Sequence, residues 1–227
     1  MSDSSMSLSP GQLAVTIGTP AAPWVVDVRR RAAFEASERR IAGALWRDHL
    51  AAADWAAELP PGPIVVYCVH GHQVSQAAAA LLRSSGREAR YLAGGFEAFL
   101  ADGGPTLRRG ESAEGGHWVT ASPPSCDALA CAWLIRRFID RRGQIHFVEP
   151  NWAAQAAEEI GATGFALEPE PSAFDGLRAR YDLTAPSLDA MTEGIGHVLG
   201  GLLRRHGPGE ALLAQSAMVF DAVYAGR

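Results

Sequence analysis

Ile64-Val65-Val66-Tyr67-Cys68-Val69-His70-Gly71-His72-Gln73, followed by Ser75-Gln76-Ala77-Ala78-Ala79-Ala80-Leu81-Leu82, is the stretch around which the rest of the chain is organised. The short β-branched run reads as a buried strand, and the Ala/Leu segment as a helix ended by Gly86. Cys68 therefore sits where a strand hands over to a helix. Loop N–H groups and the positive end of a helix dipole converge at such a place, which stabilises an anion and lowers a cysteine's pKa. A thiolate held there is a nucleophile.

The flanking segments alternate strand and helix. Ser9-Pro10 caps a short helix over Gly11 to Ile17, and Trp24 to Val28 forms a strand. Arg29 to Arg40 is charged, with Phe34 as its large apolar anchor. A strand near Ala44 to Trp46 precedes a helix over Asp48 to Leu59, which Pro60-Pro61-Gly62-Pro63 ends. Glu88 to Leu92 is a further strand, Gly94-Gly95 a tight turn and Phe96 to Leu100 a closing helix. Alternation at these lengths argues for a parallel sheet.

Gly103 to Gly116 has the composition of an exposed linker. Beyond it, His117 to Thr120 reads as a strand, Asp127 to Arg142 as an amphipathic helix and Gln144 to Val148 as a strand. Trp152 to Ile160, Ala173 to Tyr181, Ser187 to His206 and Glu210 to Ala225 read as mainly helical. The organisation expected is a disordered lead over 1–8, a first domain over 9–104, a linker over 105–116 and a second, helix-rich α/β domain over 117–227.

Composition narrows the function. All 20 basic residues are Arg, which excludes a lysine Schiff base and a P-loop lysine. The pairs Arg30-Arg31, Arg136-Arg137 and Arg204-Arg205 then reflect this bias rather than a basic patch. Residues 1–110 carry 11 Arg against 10 Asp plus Glu, and residues 111–227 carry 9 against 15. Neither half has the basic face that nucleic acid rewards, so no nucleic-acid partner is expected. Three cysteines make no disulfide framework. The Ser-rich Met1 to Pro10 has no basic leader and no apolar run fit for a signal peptide or a membrane span. A cytoplasmic protein without a membrane partner is expected.

Tyr67-Cys68-Val69-His70-Gly71-His72 and the Ala-rich helix behind it resemble the active-site loop of the rhodanese sulfurtransferases. Val25-Val26-Asp27-Val28-Arg29, Phe34 and Ile41-Ala42-Gly43-Ala44 are similar to that family's first signature, and Leu92-Ala93-Gly94-Gly95-Phe96-Glu97-Ala98-Phe99 to its second. The resemblance spans about residues 9–101. It implies a five-stranded parallel sheet with helices on both faces. It also implies that Cys68 takes a sulfane sulfur from thiosulfate or a persulfide, holds it as a persulfide and passes it to a thiol acceptor, without a cofactor.

The substrate-binding loop is then Val69, His70, Gly71, His72, Gln73 and Val74, with Asp27 and Arg29 as supporting residues at the end of the first strand. Rhodaneses often carry Arg and Ser where this chain has Gln73 and Val74, which leaves His70 and His72 as donors to an anion.

Trp118-Val119-Thr120, Ala130 to Asp140 and Ala217 to Ala225 resemble the C-terminal domain of chromate-resistance proteins, which implies a link to chromate or oxidative stress. Ala121 and Ala128 stand where that family commonly has basic residues, and Gly164 to Phe174 lacks its His and Cys. Cys126 and Cys131 lie five apart on different helix faces, and His117, His146, His197 and His206 are scattered, so no metal site is expected. Two alternatives stay open beside the enzyme. One is a non-catalytic binding or sensor module for an oxyanion such as sulfate or chromate. The other is a cysteine phosphatase or arsenate reductase, which would want an arginine closing the loop, and no Arg lies between Cys68 and Arg83.

Overall fold

The central strand of the first unit is β-branched over Ile64, Val65 and Val66, ends in Tyr67 and is buried at every position, as a parallel sheet covered on both faces requires. The computed structural model describes residues 6–110, 114–167, 172–185 and 195–226. They divide into two units, one made of those up to Arg109 with Leu183–Ala185, and one of those from Gly110 to Asp182 with those from residue 195 onward.

In chain order, unit one contains β1 (Ser7–Leu8), α1 (Pro10–Ala14), β2 (Trp24–Asp27), α2 (Arg31–Glu35), β3 (Arg39–Ile41), β4 (Leu45–Trp46), α3 (Ala52–Trp55), β5 (Ile64–Tyr67), α4 (Gln73–Ser84), β6 (Ala89–Leu92), α5 (Gly95–Ala101) and β7 (Thr106–Arg108). A five-stranded sheet runs in the order β1-β6-β5-β2-β4 with every neighbour parallel. On one side of it Val26, Val28, Val66, Trp55, Leu59, Ala78, Ala79 and Leu82 form a continuous core. On the other, α1 packs against α5.

Two stretches that composition assigns to lead and linker are instead built into this unit. Ser7–Leu8 is the fifth strand, paired with Tyr91 and Leu92 at the sheet edge. Ser9 then closes a capping box with Gln12, which anchors α1 directly behind it. Thr106–Arg108 pairs antiparallel with Arg39–Ile41, and buried Leu107 contributes an apolar side chain. The helix expected over Asp48 to Leu59 is shorter: a 3₁₀ turn at His49–Ala51 leads into α3.

Unit two contains β8 (His117–Ala121), α6 (Cys126–Leu134), β9 (Gln144–Val148), α7 (Ala153–Glu159), β10 (Thr163–Gly164), α8 (Ala173–Arg180), α9 (Gly196–His206) and α10 (Glu210–Ala225). Its three strands run parallel in the order β10-β8-β9. The helix expected to reach Arg142 leaves α geometry at Leu134. A π-helical turn over Ile135–Ile139 follows, and Asp140 ends it in extended backbone. Asp140 is buried because its carboxylate takes N–H bonds from Gly115, Gly116, Arg142 and the Trp118 indole.

One of the arginine pairs that read as compositional bias, Arg136-Arg137, anchors helices here. Arg136 grips Glu210, and Arg137 with the Trp133 indole grips Asp221, tying α6 and its π turn to α10. The part of the Ser187 to His206 expectation before residue 195, and residues 168–171 of the Gly164 to Phe174 stretch, lie outside the described residues.

Candidate functional site

Cys68 follows the last residue of β5 and is 6% exposed, at the floor of a cavity of about 210 Å³. The cavity is lined by Arg29, Arg30, Ala33, Cys68 and the loop residues Val69, His70, His72, Gln73 and Val74.

The loop's conformation is held from outside it. The Cys68 carbonyl accepts from Phe96 N at 2.9 Å and the Val69 carbonyl from Glu97 N at 3.1 Å, so both turn toward α5. Gly71 sits at φ +72°, where an added Cβ would lie 2.6 Å from the Leu92 carbonyl. Gly95 sits at φ +64° and packs its backbone against Gly71, Cys68 and Val69. Gly95 in the turn after β6 is therefore the seat of the cysteine loop, which is why Gly71 and Gly95 both lack a side chain.

With its carbonyls engaged elsewhere, the loop presents N–H groups to the sulfur. Burial alone pushes the Cys68 thiol up. That push is outweighed by the Ser75 hydroxyl and by the backbone N–H groups of Ser75, His72 and His70, and the thiol ends below its ordinary range. The Ser75 hydroxyl, 3.2 Å from the sulfur, is wholly buried in the first turn of α4. Sequence reasoning ended the loop at Val74 and missed Ser75. The available signal was that a serine three residues into a helix behind the loop faces back over it.

Of the loop residues, Val69, His70, His72, Gln73 and Val74 line the cavity and Gly71 does not, and their exposure is unequal. His70 and His72 are exposed, their rings stacked at 5.8 Å, and His70 Nε2 lies 3.3 Å from Glu97 Oε2. Gln73 is also exposed.

Asp27 and Arg29 are wholly buried and 2% exposed, respectively. Arg29 binds both carboxylate oxygens of Asp27, Tyr67 donates its hydroxyl to Oδ2 at 2.8 Å, and Arg29 also reaches the Arg39 carbonyl. The guanidinium lies 4.5 Å from the Phe96 ring centroid. Burial pushes the Tyr67 phenol well up, reinforced by the Asp27 charge. The pair thus ties the end of β2 to β5 and to the start of α5, and Arg29 meets the cavity with its charge already neutralised.

In unit two Cys126 is exposed and Cys131 buried, and both are free thiols. Burial pushes Cys131 strongly up, with the Asp127 and Asp175 charges adding to it. His117 Nδ1 and His146 Nε2 approach to 2.9 Å across neighbouring strands. Among the described residues no three His, Cys, Asp or Glu side chains are grouped to hold a metal ion. Among those residues, too, no helix is long and apolar enough to cross a membrane.

Residues 9–102 match the family described as Rhodanese-like domain, and residues 118–195 match ChrB, C-terminal domain. The chain joins a rhodanese-like domain to a ChrB C-terminal domain. No curated protein matches it significantly. Solved structures similar to the rhodanese-like part include the Alr3790 protein from Anabaena sp., 32% identical over 44% of this chain and 89% of that one, with a TM-score of 0.39. A full-length protein from Lactobacillus plantarum is 27% identical over 45% of this chain and 87% of that one, at a TM-score of 0.42. A rhodanese-related protein from Thermoplasma volcanium is 25% identical over 44% and 95%, at 0.38.

Proposed function

We propose that the rhodanese-like domain is a sulfurtransferase with Cys68 as its persulfide carrier. The observation that supports this reading is the thiol itself, held below its ordinary range at the floor of a cavity by Ser75 and the loop N–H groups. In the forward step the Cys68 thiolate attacks the sulfane sulfur of a donor such as thiosulfate. A new S–S bond forms, the donor's own S–S bond breaks, and the electron pair leaves with sulfite. The same N–H groups then face the terminal sulfur of the persulfide anion. A small thiolate acceptor attacks that sulfur, carries it off and returns Cys68 as thiolate.

The partners in this reading are a small sulfur donor and a thiol acceptor, in a reducing cytoplasm, with no nucleic acid. In this reading the second domain ties the chemistry to chromate or oxidative stress, an inference from its likeness to the ChrB C-terminal domain. The test is intact mass after incubation with thiosulfate or glutathione persulfide, comparing the native chain with Cys68→Ala. One added sulfur on the native chain alone supports the carrier role.

A second reading, a non-catalytic oxyanion-binding module, draws on the uncharged Gln73 in the loop. Sulfate or chromate binding by calorimetry, without any sulfur adduct, would put that reading first.

A further inference from the structure

The cavity over Cys68 is lined by two arginines of different availability. Arg29 is buried and bound on two sides by Asp27. Arg31, two residues on, pairs with Glu35 at 2.7 Å. Arg30 between them is exposed, and among the described residues no carboxylate pairs with it. Its position follows from strand register. Asp27 on β2 stands opposite Tyr67 on β5, and Val28 N donates to the Tyr67 carbonyl. The segments Val28–Arg30 and Cys68–His70 therefore leave the sheet side by side at its carboxyl edge, where ligands gather in parallel sheets. The loop itself carries no fixed cation, since position 73 is glutamine.

We propose that Arg30 is the donor-selecting residue of this site. It holds the sulfonate end of a thiosulfate-type dianion from the loop after the neighbouring strand, in place of a cation within the cysteine loop. The inference rests on the sulfurtransferase reading of Cys68. A guanidinium offers two parallel N–H donors to two sulfonate oxygens, which fixes the sulfane end toward the sulfur below. When the Cys68 thiolate takes the sulfane sulfur, the breaking S–S bond delivers its electron pair to sulfite, and Arg30 sits against the charge that collects there. A donor with no terminal anion gains nothing from this contact. Arg30 thus separates oxyanion-terminated donors from simple persulfides.

The experiment compares the full-length chain with Arg30→Ala, Arg30→Lys and Arg30→Glu. Each receives thiosulfate in one arm and cysteamine persulfide in the other, with adduct formation and steady-state kinetics as readouts. For thiosulfate, Arg30→Ala raises KM at least about tenfold, the weight of one charge-assisted bidentate contact, and Arg30→Glu raises it further. Arg30→Lys recovers part of the loss, and the fall of kcat/KM with added salt, steep in the native chain, flattens in Arg30→Ala. The loss with thiosulfate exceeds that with cysteamine persulfide by at least about fivefold. Equal losses with both donors, or native thiosulfate kinetics in Arg30→Ala, overturn the proposal. A native chain that takes sulfur from cysteamine persulfide but not from thiosulfate overturns it too, while leaving the sulfurtransferase reading standing. No adduct from either donor overturns both.

Discussion

The Ser75 hydroxyl lies 3.2 Å from the Cys68 sulfur and 3.3 Å from the His72 carbonyl, so the first turn of α4 folds back over the thiol that precedes it. The hydroxyl has an alternative acceptor when the thiol is neutral and turns its proton to the sulfur when the thiol ionises. It therefore favours the charged form.

Ser75→Ala removes that donor. Iodoacetamide alkylation of Cys68 at neutral pH should slow roughly tenfold, the worth of one hydrogen bond to a charged group, and its pH profile should move to higher pH. A profile that stays put would leave the backbone N–H groups as the whole cause.

Folding lowers the Cys68 pKa, so its alkylation should extend to lower pH in the native chain than in the urea-unfolded one. The thiolate's contribution to stability is present above the unfolded pKa and is lost as pH falls through the lowered folded one. Peptide mapping should also find exposed Cys126 labelled in the native state and Cys131 labelled only on unfolding.

Gly95→Ala drives a methyl group into the backbone of Gly71, Cys68 and Val69 and strains a positive φ. A loss of about 1–3 kcal/mol by urea unfolding is expected, together with slower Cys68 alkylation because the seat of the loop has shifted.

Arg29→Ala leaves the wholly buried Asp27 carboxylate with Tyr67 as its remaining side-chain donor. Removing one member of such a pair costs about 3–5 kcal/mol, so thermal unfolding should report a severe loss. Replacing Asp27 and Arg29 together should cost less than the sum of the single changes.

In the second unit, Asp221→Ala frees Arg137 and the Trp133 indole at once. Unfolding of this unit should lose about 1–3 kcal/mol, the cost of leaving such donors unpaired, while Cys68 alkylation keeps its pH profile.

Local pattern carried much of this protein. The run Ile64 to Tyr67, the cysteine loop and the Ala-rich helix behind it are written in neighbouring residues, because a fully buried strand needs an unbroken apolar run and a helix packed on one side needs an apolar period. Gln144 to Val148 and Glu210 to Ala225 were legible for the same reason. The glycines at 94 and 95 announced a turn, though not that the cysteine loop rests on it.

Only the tertiary structure decided the rest. Ser7–Leu8 and Thr106–Arg108 are too short to show a period, and they become strands because β6 and β3 offer them unpaired backbone groups. Ser75 reads as one more helical residue until α4 is docked over Cys68. Arg30 is indistinguishable in sequence from the arginines beside it. The register of β2 against β5 puts Arg30 beside the cysteine loop, because pairing across a sheet is set by distant residues that local periodicity does not contain.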